Sequence, residues 1–119
     1  LLPSGRHLEY FNPHFEGRDL KAQVERGGTF YKFWGGVLAE NLCKAFARDV
    51  FAHGLLLAEE KNLARLSFHV HDEGIWLGDI SGSDETLRGI ESCLSAAPPW
   101  AEDLPLGAEG IISEYYRKP

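Results

Sequence analysis

The sequence predicts a single domain of the α+β class, and three observations carry that reading. At 119 residues the chain has room for one modest core and no second domain. Short runs of alternating apolar residues are punctuated by Gly and Pro, as strands and turns are. One long segment, Val37 to Asn62, apolar on most sides at helical spacing, has helical rather than strand length. Hydrophobic residues at 44 %, with 3 Trp, 4 Tyr and 7 Phe, supply the apolar area that a disordered chain lacks.

In chain order, Leu1 to Phe11 contains the alternating stretch Arg6 to Tyr10 and is predicted as a strand closed by a turn at Asn12-Pro13. Leu20 to Glu25 and Phe30 to Trp34 flank Arg26-Gly27-Gly28-Thr29, a hairpin signal because glycine takes the positive φ of a tight turn. After Gly35-Gly36 the helix predicted over Val37 to Asn62 would be about 39 Å long. It is apolar on most sides and is expected to be buried, with Asn41, Lys44 and Arg48 as one open polar seam at i, i+3, i+7.

Arg65 to His71 alternates again, Leu66, Phe68 and Val70 facing one way and Ser67, His69 and His71 the other. With a second strand over Gly74 to Ile80 it makes a hairpin whose tip holds Asp72 and Glu73. Ser83 is the expected cap of a shorter helix that has Asp84 and Glu85 at the positive end of its dipole, Leu87, Ile90 and Leu94 as core stripe, and Pro98-Pro99 as stop. Leu104, Leu106 and Ala108 alternate into a final strand reaching Ile112, followed by the basic, aromatic tail Tyr115-Tyr116-Arg117-Lys118.

Several function classes are excluded. The longest apolar stretch, Val50 to Ala58, is interrupted by His53 and falls far short of the roughly 20 residues that cross a bilayer. No basic, then apolar, secretory leader opens the chain. Cys43 and Cys93 form neither a disulfide framework nor a zinc knuckle and read as reduced thiols of a cytoplasmic protein. From the absence of Met, with Leu1 starting inside an expected strand, the chain is expected to be a fragment of a longer one. The net charge of -6 argues against a free-standing nucleic-acid binder, yet it is unevenly spread. Residues 1–66 carry 9 Lys/Arg against 8 Asp/Glu, and residues 67–119 carry 3 against 10, which gives +1 and -7.

The densest polar cluster is His71-Asp72-Glu73. Successive strand residues face opposite sides, so Asp72 and Glu73 meet one ion only if the turn bends them together. A single exposed Asp suits Mg²⁺, which takes one or two carboxylates and completes its shell with water and substrate phosphates, although a merely polar hairpin tip explains the same residues. His69 and His71 share a strand face and, joined by a carboxylate, would suit Zn²⁺ or Fe²⁺; histidines that hydrogen-bond across a sheet are the commoner case. No nucleophile elbow or P-loop occurs. The seam Asn41, Lys44, Arg48 reads either as a solvated stripe or as a face laid on nucleic acid, the cations on phosphate and Asn41 on a base edge, and the tail admits the same two readings.

Order and spacing join these segments. Leu2-Pro3-Ser4-Gly5-Arg6 with Tyr10 and Asn12-Pro13, then Gly35-Gly36, Glu40-Asn41-Leu42 and Ala47-Arg48-Asp49, then His69-Val70-His71-Asp72-Glu73, and finally Pro98-Pro99-Trp100-Ala101, Leu104-Pro105-Leu106 and Ala108-Glu109-Gly110 together resemble the C-terminal palm portion of family A, polymerase I type, DNA polymerases in their phage-like branch. The resemblance covers nearly the whole chain. It implies an antiparallel palm-type sheet whose motif C hairpin packs on one long and one shorter helix, residues 1–119 being the C-terminal part of a palm. It makes Asp72 and Glu73 catalytic, with Asp72 a ligand of the catalytic Mg²⁺ ions, Glu73 its supporting carboxylate and His71 a neighbour of the primer terminus. Asn41, Lys44 and Arg48 become DNA-binding residues on the helix along the primer-template minor groove.

The activity implied is template-directed transfer of nucleotides from dNTPs to a primer 3′ end. In-line attack on an α-phosphate is served by two cations about 3.5–4 Å apart, hence by carboxylates from more than one strand. The second Asp, on the motif A strand, and the fingers and thumb would lie upstream of Leu1 and act as partners of this segment, which is therefore expected to be inactive alone and prone to self-association. Lys44 stands where the family usually has Gln, which suits phosphate contact better than minor-groove checking. Glu73 separates the chain from single-subunit RNA polymerases, whose motif resembles His-Asp-Ser. The setting implied is the cytoplasm of a bacterial or phage-infected host, with no membrane partner. Two alternatives use the same residues: a non-catalytic palm-derived DNA-binding module that keeps the helix seam, and a His/Asp metal-dependent hydrolase built on His69 and His71.

Overall fold

The structure, a computed structural model, describes residues 1–116. It has the α+β class: three strands, a long helix, two more strands and a shorter helix. They are β1 (Phe11–Glu16), β2 (Asp19–Gln23), β3 (Phe30–Phe33), α1 (Gly35–Glu60), β4 (Arg65–Val70), β5 (Glu73–Leu77) and α2 (Ser83–Leu94). All pairing is antiparallel, and the strands form two sheets, β1-β2-β3 and β4-β5, rather than the one expected. Each sheet pairs only strands adjacent in sequence, the arrangement with the smallest loop-closure cost. The chain divides into two compact units, Leu1–Ala47 and a second that begins at Arg48. Among the described residues no helix is long and apolar enough to cross a membrane.

In the first unit the opening strand is displaced. Leu1 to Tyr10 is not a strand; Leu2 is 2 % exposed inside a turn in which the Gly5 N–H donates to the Leu2 carbonyl and Gly5 takes φ +87°. The strand begins at Phe11 and runs through Asn12-Pro13, where a turn was expected. That is tolerable because β1 is an edge strand and its register slips between Phe11 and His14, so no ladder bond is asked of the proline. The hairpin signal at Arg26 to Thr29 holds: Gln23 pairs with Phe30, and Gly27 has φ +75°. Buried Ala22, Phe33 and Ala45 mark the interior, with the Tyr10 ring edge-on to Phe33.

Helix α1 lies within two residues of its expected bounds. It ends on a left-handed residue, Asn62 at φ +49°, where the Leu63 N–H donates to the Ala58 carbonyl and the Asn62 N–H to the Glu59 carbonyl, satisfying carbonyls a helix end otherwise leaves open. Its burial is much lower than its composition suggests. Ala45, Gly54, Leu55 and Ala58 are buried, whereas Leu42 and Leu56 are exposed. Phe15, Trp34, Leu77 and Ile80 are exposed as well. Apolar surface on this scale promotes association, so sedimentation of the chain should show a mass rising with concentration. A monodisperse monomer at high concentration would contradict that expectation.

In the second unit, α2 approaches the C-terminal half of α1 closely at Gly54. A Cβ there would lie 2.9 Å from the Leu94 Cα and 3.0 Å from its Cδ2. Ile90, Cys93 and Pro98 are buried nearby in the fold. Alanine normally favours a helix by about 1 kcal/mol over glycine. Here the added methyl meets backbone, and Gly54→Ala should destabilise the chain by about 1–2 kcal/mol, read as a lower urea midpoint. A raised midpoint would show that α2 yields.

Two further expectations are corrected. Gly82, at φ +79°, precedes α2 without a side-chain cap, so Ser83 is the first helical residue and not the cap. Leu104 to Ile112 is not a strand. It has no strand to pair with among the described residues and instead docks on α2, the Gly110 N–H donating to Glu91 Oε1 at 2.8 Å with Leu87 packed against Gly110. Both cysteines are free thiols, Cys43 exposed and Cys93 buried.

Candidate active-site hairpin

The β4-β5 hairpin closes with Val70 opposite Glu73, so its two-residue turn is His71-Asp72 and Glu73 is the first residue of β5 rather than part of the tip. His71 sits at φ +53°, a left-handed conformation that such turns require and that Gly or Asn adopts more readily. Asp72 is exposed at the apex and Glu73 is half-buried.

Register decides which side chains share a face. It slips between Leu66 and Phe68, making Ser67 the extra residue of a bulge. Leu66 therefore lies on the opposite face from Phe68 and Val70, against the simple alternation expected. One face carries Leu66, His69, Gly74 and Trp76, with the His69 ring edge-on to Phe51 of α1 at 5.9 Å and the Trp76 ring lying over Gly74. The other carries Phe68, Val70, Glu73 and Ile75.

Tyr116 covers that second face. Its hydroxyl donates to Glu73 Oε2 at 3.3 Å and its ring stands edge-on to Phe68, 5.9 Å between centroids. Burial, then the negative charge of Glu73 and the hydrogen bond to it, push the Tyr116 phenol above its ordinary range, so it remains a donor at neutral pH. Arg117 and Lys118 of the tail lie outside the described residues.

Among the described residues the hairpin brings no third ligand to His69 and His71, the pair that reads less readily as a Zn²⁺ or Fe²⁺ site than as structural histidines. His69 is on a strand face and His71 is in the turn, and among the described residues no three His, Cys, Asp or Glu side chains come together as a metal site. What it does present is one exposed carboxylate, Asp72, with a second close by in sequence. That donor set fits part of a Mg²⁺ shell, which needs only one or two protein carboxylates; a two-ion arrangement would need more.

Asn41, Lys44 and Arg48 fall on one stripe of α1, but they are not equally available. The Asn41 amide donates to the Tyr10 hydroxyl at 3.0 Å. Lys44 pairs with Glu40 one turn earlier at 2.6 Å, and this hydrogen bond and charge hold the Glu40 carboxyl below its usual range. Arg48 is exposed. Sequence reasoning singled out both tyrosines but missed their partners, which lie 31 and 43 residues away. The Trp76-Gly74 contact had a signal, since a glycine inside a strand marks a close approach and i, i+2 residues share a face.

The chain is similar to a DNA polymerase of Bacillus phage SP02, with 33 % identity over 127 aligned residues that take in 98 % of this chain and 19 % of that protein. It thus spans about a fifth of the relative it matches. No family model and no solved structure matches it.

Proposed function

We propose that the chain is the C-terminal palm portion of a family A, polymerase I type, DNA polymerase, and that the complete protein extends a primer 3′ end with dNTPs against a template. The observation that carries this reading is the exposed Asp72 at the apex of an antiparallel hairpin, flanked by His71 and Glu73, in a chain one-third identical over nearly its whole length to a phage DNA polymerase.

Asp72 contributes the charge and hard oxygen that hold Mg²⁺, and Glu73 adds a second negative charge beside it. When bound, Mg²⁺ supplies activation of the attacking hydroxyl and charge at the leaving oxygen. His71 neighbours the primer terminus. On α1, Arg48 meets backbone phosphate directly, and Lys44 does so by exchanging Glu40 for phosphate, an exchange that is easy because the pair is exposed and solvent-screened. Asn41 keeps one N–H and its carbonyl for a base edge while Tyr10 holds the other N–H. The remaining carboxylate and the nucleotide clamp come from the rest of the polymerase chain.

Primer extension by the complete protein, dependent on template, dNTPs and Mg²⁺, tests the assignment; a complete protein that binds DNA but cannot extend would favour a non-catalytic module. In that assay Glu73→Gln should lower the rate by about 10–100-fold, the cost typical of a group that supports a metal ligand. A loss equal to that of Asp72→Asn would instead place Glu73 on the ion.

A further inference from the structure

We propose that Tyr116 is a positioning residue for this hairpin: its hydroxyl keeps the Glu73 carboxylate on the Phe68 face, so that Asp72 is the carboxylate left at the tip to meet a divalent cation. The inference rests on the metal-binding reading of the hairpin and adds to it a division of labour between two adjacent acids.

Three observations converge. Register puts Glu73 on the same face as Phe68 and Val70, one residue beyond the apex where Asp72 is exposed. The Tyr116 hydroxyl donates to Glu73 Oε2 at 3.3 Å, and swinging that oxygen toward an ion at the tip would cost this bond. The phenol is itself fixed, because its ring packs edge-on against Phe68 at 62° between planes. A segment 43 residues downstream in sequence therefore sets how many carboxylates the tip offers.

The test uses the 119-residue chain with Mn²⁺ as the probe, read as paramagnetic broadening of backbone amides around residues 70–75. In the wild type, broadening should centre on Asp72 and vanish in Asp72→Asn. Tyr116→Phe keeps the ring on Phe68 and deletes only the hydroxyl, so the melting temperature should hold while Mn²⁺ binds about fivefold more tightly. That gain should disappear in a Glu73→Gln background, where adding Tyr116→Phe should change Mn²⁺ affinity by less than about twofold. A purely structural role for Tyr116 would show no such coupling. Unchanged or weaker Mn²⁺ binding in Tyr116→Phe, or a gain that survives Glu73→Gln, would overturn the proposal while leaving Asp72 as ligand. Absence of Asp72-centred broadening in every variant would overturn the metal-binding reading and the proposal together.

Discussion

If the complete protein is the polymerase proposed, Asp72→Asn in it is expected to cut primer extension by on the order of 10³-fold while primer-template binding persists or tightens. The substitution changes almost nothing but charge. Asparagine has the same shape, is favoured in turns, and stands at an exposed apex where no packing depends on it, so the hairpin should survive. What is lost is the anion that draws a divalent cation to the tip. Removing the same anion also removes its repulsion of DNA phosphate, which is why binding should move in the opposite direction from rate. Primer extension and equilibrium binding measured on the same preparations separate the two effects. Full activity in Asp72→Asn would sink the assignment of Asp72 as metal ligand.

The isolated 119-residue chain is expected to show no primer extension at all, with Mg²⁺ or Mn²⁺. Its tip offers Asp72, while Glu73 is engaged by Tyr116, and no three metal-binding side chains converge among the described residues. Two cations cannot be assembled about an incoming nucleotide from that set. A labelled primer-template incubated with the chain and all four dNTPs should therefore remain unextended. Extension by the chain alone would overturn the placement of the second carboxylate and the nucleotide clamp in the rest of the polymerase.

The elements legible in the sequence are those fixed by local chemistry. The long helix shows in a segment after Gly35-Gly36 that is apolar on most of its helical faces, the β2-β3 hairpin in Gly27-Gly28, and the β4-β5 hairpin in two alternating runs joined by polar residues. Elements that depend on a distant partner were misread. Leu104 to Ala108 alternates as a strand does, yet a strand exists only where another pairs with it, and the chain just beyond this segment meets α2 at Gly110 instead. Arg6 to Tyr10 alternates too, yet Leu2 is buried at the Gly5 turn and the first strand starts only at Phe11. A one-residue bulge at Ser67 was enough to reverse the face of Leu66. For the candidate site, the placement of Asp72 at a hairpin tip was legible, while the engagement of Glu73 by Tyr116 and of Asn41 by Tyr10 was not, since no local pattern links residues so far apart.

His71 at φ +53° puts two demands in competition at one position. The turn alone would be satisfied more cheaply by glycine, because a left-handed conformation costs a non-glycine residue about 1–2 kcal/mol. Holding an imidazole there means that the tip carries a standing conformational penalty which the neighbouring strand pairs must outweigh. A variant selected only for thermal resistance would tend to discard the histidine, whereas one selected for use of the ring at the apex would keep it and tolerate the lower melting point. If the imidazole serves the primer terminus as proposed, position 71 is where stability and the chemistry of the tip trade against each other.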